Sequence, residues 1–172
     1  GAQVSGQVTF SDLMPGLYTL SEQTQEGWSQ TNISCDDNQD PVNLDAGEDL
    51  TCYVGNQGLG TIIVEKDVVP DSDATFDFSI TGDLIETIGF VLGDGQSTNP
   101  NYSDLPAGTY SVSETPDDLY TTDVQCVSSN DDTEVANALD LSPGETITCT
   151  FTNTRKTGDL LVHKMVRSDV EG

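Results

Sequence analysis

The sequence predicts an all-β chain built from small antiparallel β-sandwich modules in tandem. Apolar residues recur at period two, as in Ile62, Val64 and Lys66, where a lysine shares the apolar face. Turn-forming residues separate these runs at 70–73, 93–95, 106–108 and 142–144, and no segment has a helical period. A set of landmarks also occurs twice along the chain, which is typical of a repeat protein.

The repeat pairs residues 105–153 with residues 13–56. In both copies a glutamate lies four residues after a tyrosine, and a glycine and an asparagine flank the second cysteine at fixed distances. The distance from the glutamate to the first cysteine differs by one residue, which we expect to be a difference in loop length. The paired landmarks are Tyr110 and Tyr18, Glu114 and Glu22, Cys126 and Cys35, Gly144 and Gly47, Cys149 and Cys52, Asn153 and Asn56.

A second correspondence defines the boundaries of the modules. The run GTIIVEKDV, which contains Lys66, matches GDLLVHKMV, which contains Lys164. We therefore expect a complete module at 58–157, the body of a split module lacking its first strand at 1–57, and the first strand of the next module, or of a neighbouring subunit's module, at 158–172. Joined tail to head, the two pieces would make one whole module. The linker around 58–60 is short and should hold neighbouring modules in a semi-rigid line.

The charge excludes several classes of partner. The net charge is −25 with five basic residues in 172, so the chain cannot neutralise the phosphates of a nucleic acid. Binding to an anionic membrane surface is disfavoured for the same reason, and no apolar run is long enough for membrane insertion. Acidic loops at 36–40 and 71–73 fit either a solvated surface or calcium, and we predict no metal site and no cofactor. Asn32 and Asn101 match the N-glycosylation pattern.

The four cysteines predict two disulfides. Each copy of the repeat contains one pair, so we expect Cys35–Cys52 and Cys126–Cys149, with reduced buried thiols as the alternative. Loops of this size each contribute about 3 kcal/mol in the chain-entropy model, which matters for modules too small to build a large core. Disulfides indicate an oxidising, extracellular or cell-surface location.

The ordered set of the Lys66 strand, LPAGTYSVSET and CTFTNT resembles the prealbumin-like (Cna-B-type, SpaA-like) modules of bacterial surface adhesins and pilins. The resemblance implies a prealbumin- or Ig-like sandwich. It also implies an autocatalytic isopeptide bond between a lysine of the first strand and an asparagine of the last, assisted by a buried acidic residue. The cysteine pair departs from the commonest pilin form. The implied sets are Lys66, Asn153 and Glu114 in the complete module, and Lys164, Asn56 and Glu22 in the split one.

Period-two parity supports the first set, because it places all three side chains on inward faces. Two of the three lysines in the chain also occupy equivalent inward positions. The alternatives are a partly exposed Lys–Glu ion pair worth under about 1 kcal/mol and an asparagine that begins a turn.

Together these features predict a structural repeat segment of an extracellular stalk or filament. Its partner would be itself, as a tandem repeat or as a head-to-tail homopolymer in which strand 158–172 enters module 1–57. The alternative is an adhesive module that recognises carbohydrate or host protein. We do not expect an enzyme, because one histidine and paired cysteines leave no nucleophile–base pair.

Overall fold

The structure is a computed structural model that describes residues 6–39, 41–99 and 101–166. These residues form strands, turns and irregular segments without a helix, which confirms the all-β prediction. The strands are β1 Gly16–Tyr18, β2 Trp28–Cys35, β3 Val42–Leu44, β4 Cys52–Val69, β5 Thr75–Gly82, β6 Ile85–Gly93, β7 Leu105–Pro106, β8 Gly108–Glu114, β9 Tyr120–Ser128, β10 Thr133–Glu134, β11 Leu139–Leu141 and β12 Thr146–Arg155.

The complete module is a two-layer sandwich. One sheet has the order β10–β9–β12–β4–β2, with β7 also on β4, and the other has the order β11–β8–β5–β6. Inward residues of both sheets form one apolar core, as alternation along the strands predicts. Its fully buried members include Ile62, Val64, Val68, Ile80, Leu139, Leu141, Ile147 and Cys149.

One strand pair is parallel, which is an exception to the predicted antiparallel sandwich. The first and last strands of the module, β4 and β12, lie side by side in the same direction, with Lys66 opposite Phe151 and Val68 opposite Asn153. Parallel neighbours need a long connection, and here the whole body of the module lies between them. The parallel pair brings the lysine of the first strand close to the asparagine of the last.

The expected linker between modules is part of a strand. Strand β4 runs through 58–60 without a break, pairing with β2 along residues 52–58 and with β12 along residues 61–69. The Leu59 N–H donates to the Gly27 carbonyl at 2.7 Å, and the Gly144 N–H donates to the Leu59 carbonyl at 2.7 Å. A Cβ on Gly27 would lie 2.3 Å from the Gly144 nitrogen, so the two units contact each other backbone to backbone.

The N-terminal unit, residues 6–39 and 41–57, repeats the pairing of the complete module. Tyr18 faces Val42 as Tyr110 faces Leu139, and Cys35 faces Cys52 as Cys126 faces Cys149. The Tyr18 hydroxyl donates to the carbonyl four residues earlier at 2.5 Å, and the Tyr110 hydroxyl does the same at 2.6 Å. The repeat seen in the sequence is therefore a repeat in structure.

The one-residue difference between the copies is not in a loop. The register of β2 shifts between Gln30 and Asn32, so the extra residue is a β-bulge within the strand. A bulge absorbs the extra residue, so Cys35 and Cys52 still face each other. The spacing in the sequence could not show that the extra residue lies within a strand.

The tail of the chain carries the run GDLLVHKMV, which is the predicted first strand of another module. Residues 158–166 form no strand in this single chain, and Leu160 is 89% exposed there, while 167–172 lie outside the described residues.

Candidate functional site

Lys66 is the buried lysine of the complete module. Alternation along β4 turns it inward, and 2% of the residue is exposed. Its ammonium nitrogen Nζ donates to the carbonyls of Asp67 at 2.8 Å and Phe151 at 3.0 Å, and lies 4.6 Å from the centroid of the Phe76 ring. The aromatic ring and the two carbonyls are the environment that holds the amine away from water.

Glu114 and Asn153 meet Lys66 in the same interior. Strands β8 and β12 supply them, and the Asn153 Nδ2 amide donates to Oε1 of Glu114 at 2.5 Å. The second oxygen, Oε2, lies 3.7 Å from Nζ of Lys66. The side chains of Lys66 and Glu114 are 0% and 3% exposed, and Asn153 is fully buried, so the exposed ion pair considered from the sequence is excluded.

Two polar atoms of this site have no hydrogen-bond partner. They are Oε2 of Glu114 and Oδ1 of Asn153, and no other buried side-chain nitrogen or oxygen in the described part of the chain is in that state. Buried polar atoms are nearly always paired, so a site that leaves two of them unpaired calls for a reason other than stability.

Burial lowers the pKa of the Lys66 amine below its ordinary value. Desolvation is the largest cause, and the negative charge of Glu114 acts in the opposite direction, with smaller contributions from Asp67 and Asp94. The direction favours the neutral amine, which is the nucleophilic form of lysine.

The second predicted set is brought together only in part. The Asn56 Nδ2 amide donates to Oε1 of Glu22 at 2.7 Å, which reproduces the bond between Asn153 and Glu114. Both residues are exposed, and Lys164 lies in the exposed segment 158–166. The N-terminal unit therefore has an acid–amide pair without a lysine.

Comparison with sequence families identifies the fold family. Profiles of the SpaA type, both described as a prealbumin-like fold domain, match residues 62–155 and residues 1–54. The chain belongs to the SpaA-like prealbumin-fold family. The two matches cover the complete module and the N-terminal unit of this SpaA-like chain separately, as the internal repeat does. No curated protein sequence matches it significantly.

Several solved structures are similar to the SpaA-like chain. The major pilin protein (T-13) from Streptococcus pyogenes has 20% identity and a TM-score of 0.46, over 87% of this chain and 70% of that one. The major pilin protein (T3.2) of the same species has 17% identity and a TM-score of 0.47, over 83% and 68%. A further S. pyogenes major pilin has 20% identity and a TM-score of 0.47, over 86% and 72%. At these values the similarity adds no functional assignment.

The SpaA-like chain contains both disulfides that its sequence predicts. Cys35–Cys52 and Cys126–Cys149 each join directly opposed residues of two antiparallel strands, with Cα atoms 4.0 Å apart. Each bond links the last strand of its unit to the strand beside it. Cys149 is fully buried within the core, whereas Cys52 is half-buried.

The remaining candidates lie at the surface. Asn32 on β2 and Asn101 in a turn are both exposed. In the first acidic loop, Oδ1 and Oδ2 of Asp37 accept backbone N–H groups at 3.1 and 3.3 Å, and Asp40 lies outside the described residues. Asp71 and Asp73 of the second loop are exposed. Within the described residues no helix is long and apolar enough to cross a bilayer.

One acidic group was missed from the sequence. Asp132, Glu134 and Glu145 place carboxylate oxygens within 4.8 Å of one another. Glu145 accepts hydrogen bonds from the Ser128 hydroxyl and, at 2.6 Å, from the Ser142 N–H, while burial raises the pKa of Glu134. Glu48 closes the turn at Asp45 in the N-terminal unit as Glu145 closes the turn at Ser142, so its repeated position could have marked Glu145 as a turn residue.

Proposed function

We propose that this chain is a structural segment of an extracellular stalk or pilus-like filament, stiffened by its disulfides and by an isopeptide bond between Lys66 and Asn153. The buried cluster of Lys66, Glu114 and Asn153, with its two unpaired acceptor atoms, carries the proposal. The extracellular location is supported by the two disulfides. The reaction happens once per module, so it does not make the protein an enzyme.

The contacts define a balanced reaction. A proton passes from the Lys66 ammonium to Oε2 of Glu114, which leaves a neutral amine. The amine nitrogen forms a bond to Cγ of Asn153. The carboxyl group of Glu114 gives its proton to Nδ2, which it contacts through Oε1, and the resulting carboxylate takes the second proton from the lysine nitrogen. The Cγ–Nδ2 bond breaks, and the departing ammonia takes that proton from Glu114 and leaves as ammonium. No oxidant or cofactor takes part.

Intact mass under reducing conditions tests the bond. The native chain should be lighter than its composition by one ammonia, about 17 Da, because the reaction releases that molecule. Lys66→Met, Glu114→Gln and Asn153→Ala should each restore the full mass, whereas Lys156→Met, at an exposed lysine, should keep the deficit. A native chain with the full mass would overturn the isopeptide bond.

We further propose that the segment 158–166 serves as the first strand of a following module, or of a neighbouring subunit's module of the same kind. The support is the match between the Lys66 and Lys164 runs, together with the pre-formed pair of Glu22 and Asn56. If the parallel pairing of the complete module is repeated, residues 159–166 lie along residues 49–56 and Lys164 faces Val54. An intersubunit Lys164–Asn56 bond would then survive boiling in SDS and reductant as a ladder of covalent multimers, and monomers alone would exclude it.

A further inference from the structure

We propose that Tyr120 is a positioning residue for the bond between Lys66 and Asn153, as the outer of two aromatic rings that keep water away from the Lys66 amine. The inference rests on the proposed function, and it adds a residue that sets the pH range in which the bond forms. The order of the two rings and the exposure of the residues around Tyr120 support it.

The inner ring belongs to Phe76 of β5. Its centroid lies 4.6 Å from Nζ of Lys66, and 4% of the residue is exposed. The other groups beside this nitrogen are polar, namely the carbonyls of Asp67 and Phe151 and, at 3.7 Å, Oε2 of Glu114. Among these neighbours the ring is the apolar wall of the site.

The outer ring belongs to Tyr120, the first residue of β9. It lies nearly perpendicular to the Phe76 ring, at an interplanar angle of 84° and with centroids 5.2 Å apart. Tyr120 is 7% exposed, and its N–H donates to the carbonyl of Asp117 at 3.1 Å. The contacts therefore run in the order Tyr120, Phe76 and Lys66.

Tyr120 is a single buried residue within an exposed stretch of the chain. Residues 115–119, which connect β8 to β9, are all exposed, and so are residues 121–125 of β9. An aromatic side chain is buried here although ten residues around it face water. The local chain thus contributes one ring to the interior, and that ring packs on the inner wall of the lysine site.

The core-facing side of β9 is open to water next to the reacting residues. Thr122 lies opposite Asn153 and Val124 lies opposite Phe151, so both share the inward face of the sheet with these partners. Thr122 is nevertheless exposed, and Val124 is 37% exposed. Water therefore reaches this face one strand away from the asparagine, and Tyr120 is the residue of 120–125 that closes it.

The state of the amine depends on this closure, because desolvation is the largest cause of the lowered pKa of Lys66. The charged groups that face the amine are Glu114 on β8, Asp67 on β4 and Asp94 in the turn after β6, and all three favour the ammonium. β12 and β5 place an amide and an aromatic ring there, neither of which titrates, and β9 places the Tyr120 phenol behind that ring. Water admitted through a gap would leave these charges unopposed and raise the pKa.

The pKa of Lys66 can be measured without the reaction in a Glu114→Gln chain, where the bond is blocked. Isotopically labelled lysine gives one NMR signal for each of the three lysines, and the exposed Lys156 and Lys164 are internal references. Tyr120→Ala should raise the pKa of Lys66 by about one unit or more, because water reaches the ammonium. Tyr120→Phe, which keeps the ring, should leave this pKa unchanged.

Tyr102→Ala is the matched control. It removes an aromatic ring from the same module, where that ring packs on Phe90 with centroids 5.3 Å apart, and it should leave the pKa of Lys66 unchanged. If exchange of the β12 amides shows that Tyr120→Ala is unfolded, Tyr120→Val keeps a residue suited to a strand and should raise the pKa in the same direction. A folded alanine or valine variant with an unchanged pKa would overturn the role of Tyr120, and so would an equal rise in Tyr102→Ala.

The same substitutions in the otherwise native chain test the effect on the reaction. Chain purified in urea with its full mass is refolded at a series of pH values, and the loss of about 17 Da is followed with time. Below the pKa of Lys66, Tyr120→Ala should slow the loss about tenfold and move the pH profile to higher pH, because the neutral fraction falls by that factor for each unit of pKa. Tyr120→Phe and Tyr102→Ala should leave the profile in place, and a profile that Tyr120→Ala does not move would overturn the inference.

Failure of this inference can be distinguished from failure of the isopeptide bond. A native chain that keeps its full mass would remove the bond, while the pKa in the Glu114→Gln chain would still test whether Tyr120 keeps water out. A native mass deficit together with an unmoved pKa would remove the role of Tyr120 and leave the bond in place.

Discussion

At the scale of single residues, the main feature is the buried amine of Lys66. An unpaired ammonium in a protein interior is costly, and Lys66 meets a carboxylate oxygen only at 3.7 Å. The same three side chains leave two acceptors unpaired. Conversion of the amine and the amide into one neutral amide would remove the buried charge and keep the strands together.

The pH dependence of stability follows from the lowered pKa of Lys66. In Glu114→Gln, where the bond is blocked, the unfolded chain holds a proton on this lysine at pH values where the folded chain has lost it. Between the folded pKa and the ordinary value of 10.5, the unfolding free energy should therefore rise with pH. Urea unfolding at a series of pH values measures the slope.

Adding Lys66→Met to this variant should remove that part of the slope, whereas adding Lys156→Met, at an exposed lysine, should not. A slope that is unchanged by the methionine at position 66 would mean that another group titrates.

At the scale of elements, the contact between the two units depends on glycine. Gly27 and Gly47 both have a positive φ, 77° and 79°, so a side chain strains the backbone equally at either position. They differ in surroundings, because a Cβ at Gly27 meets the backbone of Gly144 and a Cβ at Gly47 meets nothing within 4 Å.

We expect Gly27→Ala to cost about 1–3 kcal/mol more than Gly47→Ala, through overpacking against the 142–145 turn. Thermal unfolding of the two variants gives the difference. Faster hydrogen exchange at Leu59, whose N–H donates to Gly27, should accompany the loss in Gly27→Ala alone. Equal costs would show that the two units do not press on each other at this point.

The two disulfides should differ in their effect on the complete module. Replacing both Cys126 and Cys149 by alanine should lower its unfolding free energy by about 3 kcal/mol, given the loop of 23 residues. The matched replacement of Cys35 and Cys52, which closes 17 residues in the N-terminal unit, should leave that transition nearly unchanged. Unfolding followed by the exchange of core amides in β9 and β12 separates the two. A similar loss from both replacements would mean that the units unfold as one.

At the scale of the whole molecule, the net charge of −25 acts against compactness. Raising NaCl from about 0.01 to 0.5 M shortens the screening length from about 30 Å to a few Å and should raise the melting temperature. A variant with four exposed acids neutralised, Asp71→Asn, Asp73→Asn, Asp83→Asn and Glu86→Gln, should respond less to salt. A melting temperature that falls with salt would show that attractive pairs outweigh the repulsion.

Much of the fold and of the candidate site could be predicted from the period-two alternation of the strands and from the internal repeat. Inward parity placed Lys66, Glu114 and Asn153 together, and the repeated cysteines gave both disulfides. Two features did not follow, because they depend on pairing between distant strands. The bulge near Asn32 resembles a loop insertion when only the spacing is known, and 58–60 resembles a linker because glycines flank Leu59.

The unbroken run of β4 has a mechanical consequence. Tension along a row of such units would pass through the extended backbone of Cys52–Val69, which contains no loop that could lengthen under load. In a row of units that lacks the Lys66–Asn153 bond, the load would then cross to β12, whose pairing with β4 is parallel, so that the pull would slide the two strands past each other and strain all the hydrogen bonds between them at once. Hydrogen bonds between two strands that are loaded in shear resist the force together, whereas hydrogen bonds that are unzipped break one after another. Such a row should yield abruptly at high force rather than stretch gradually.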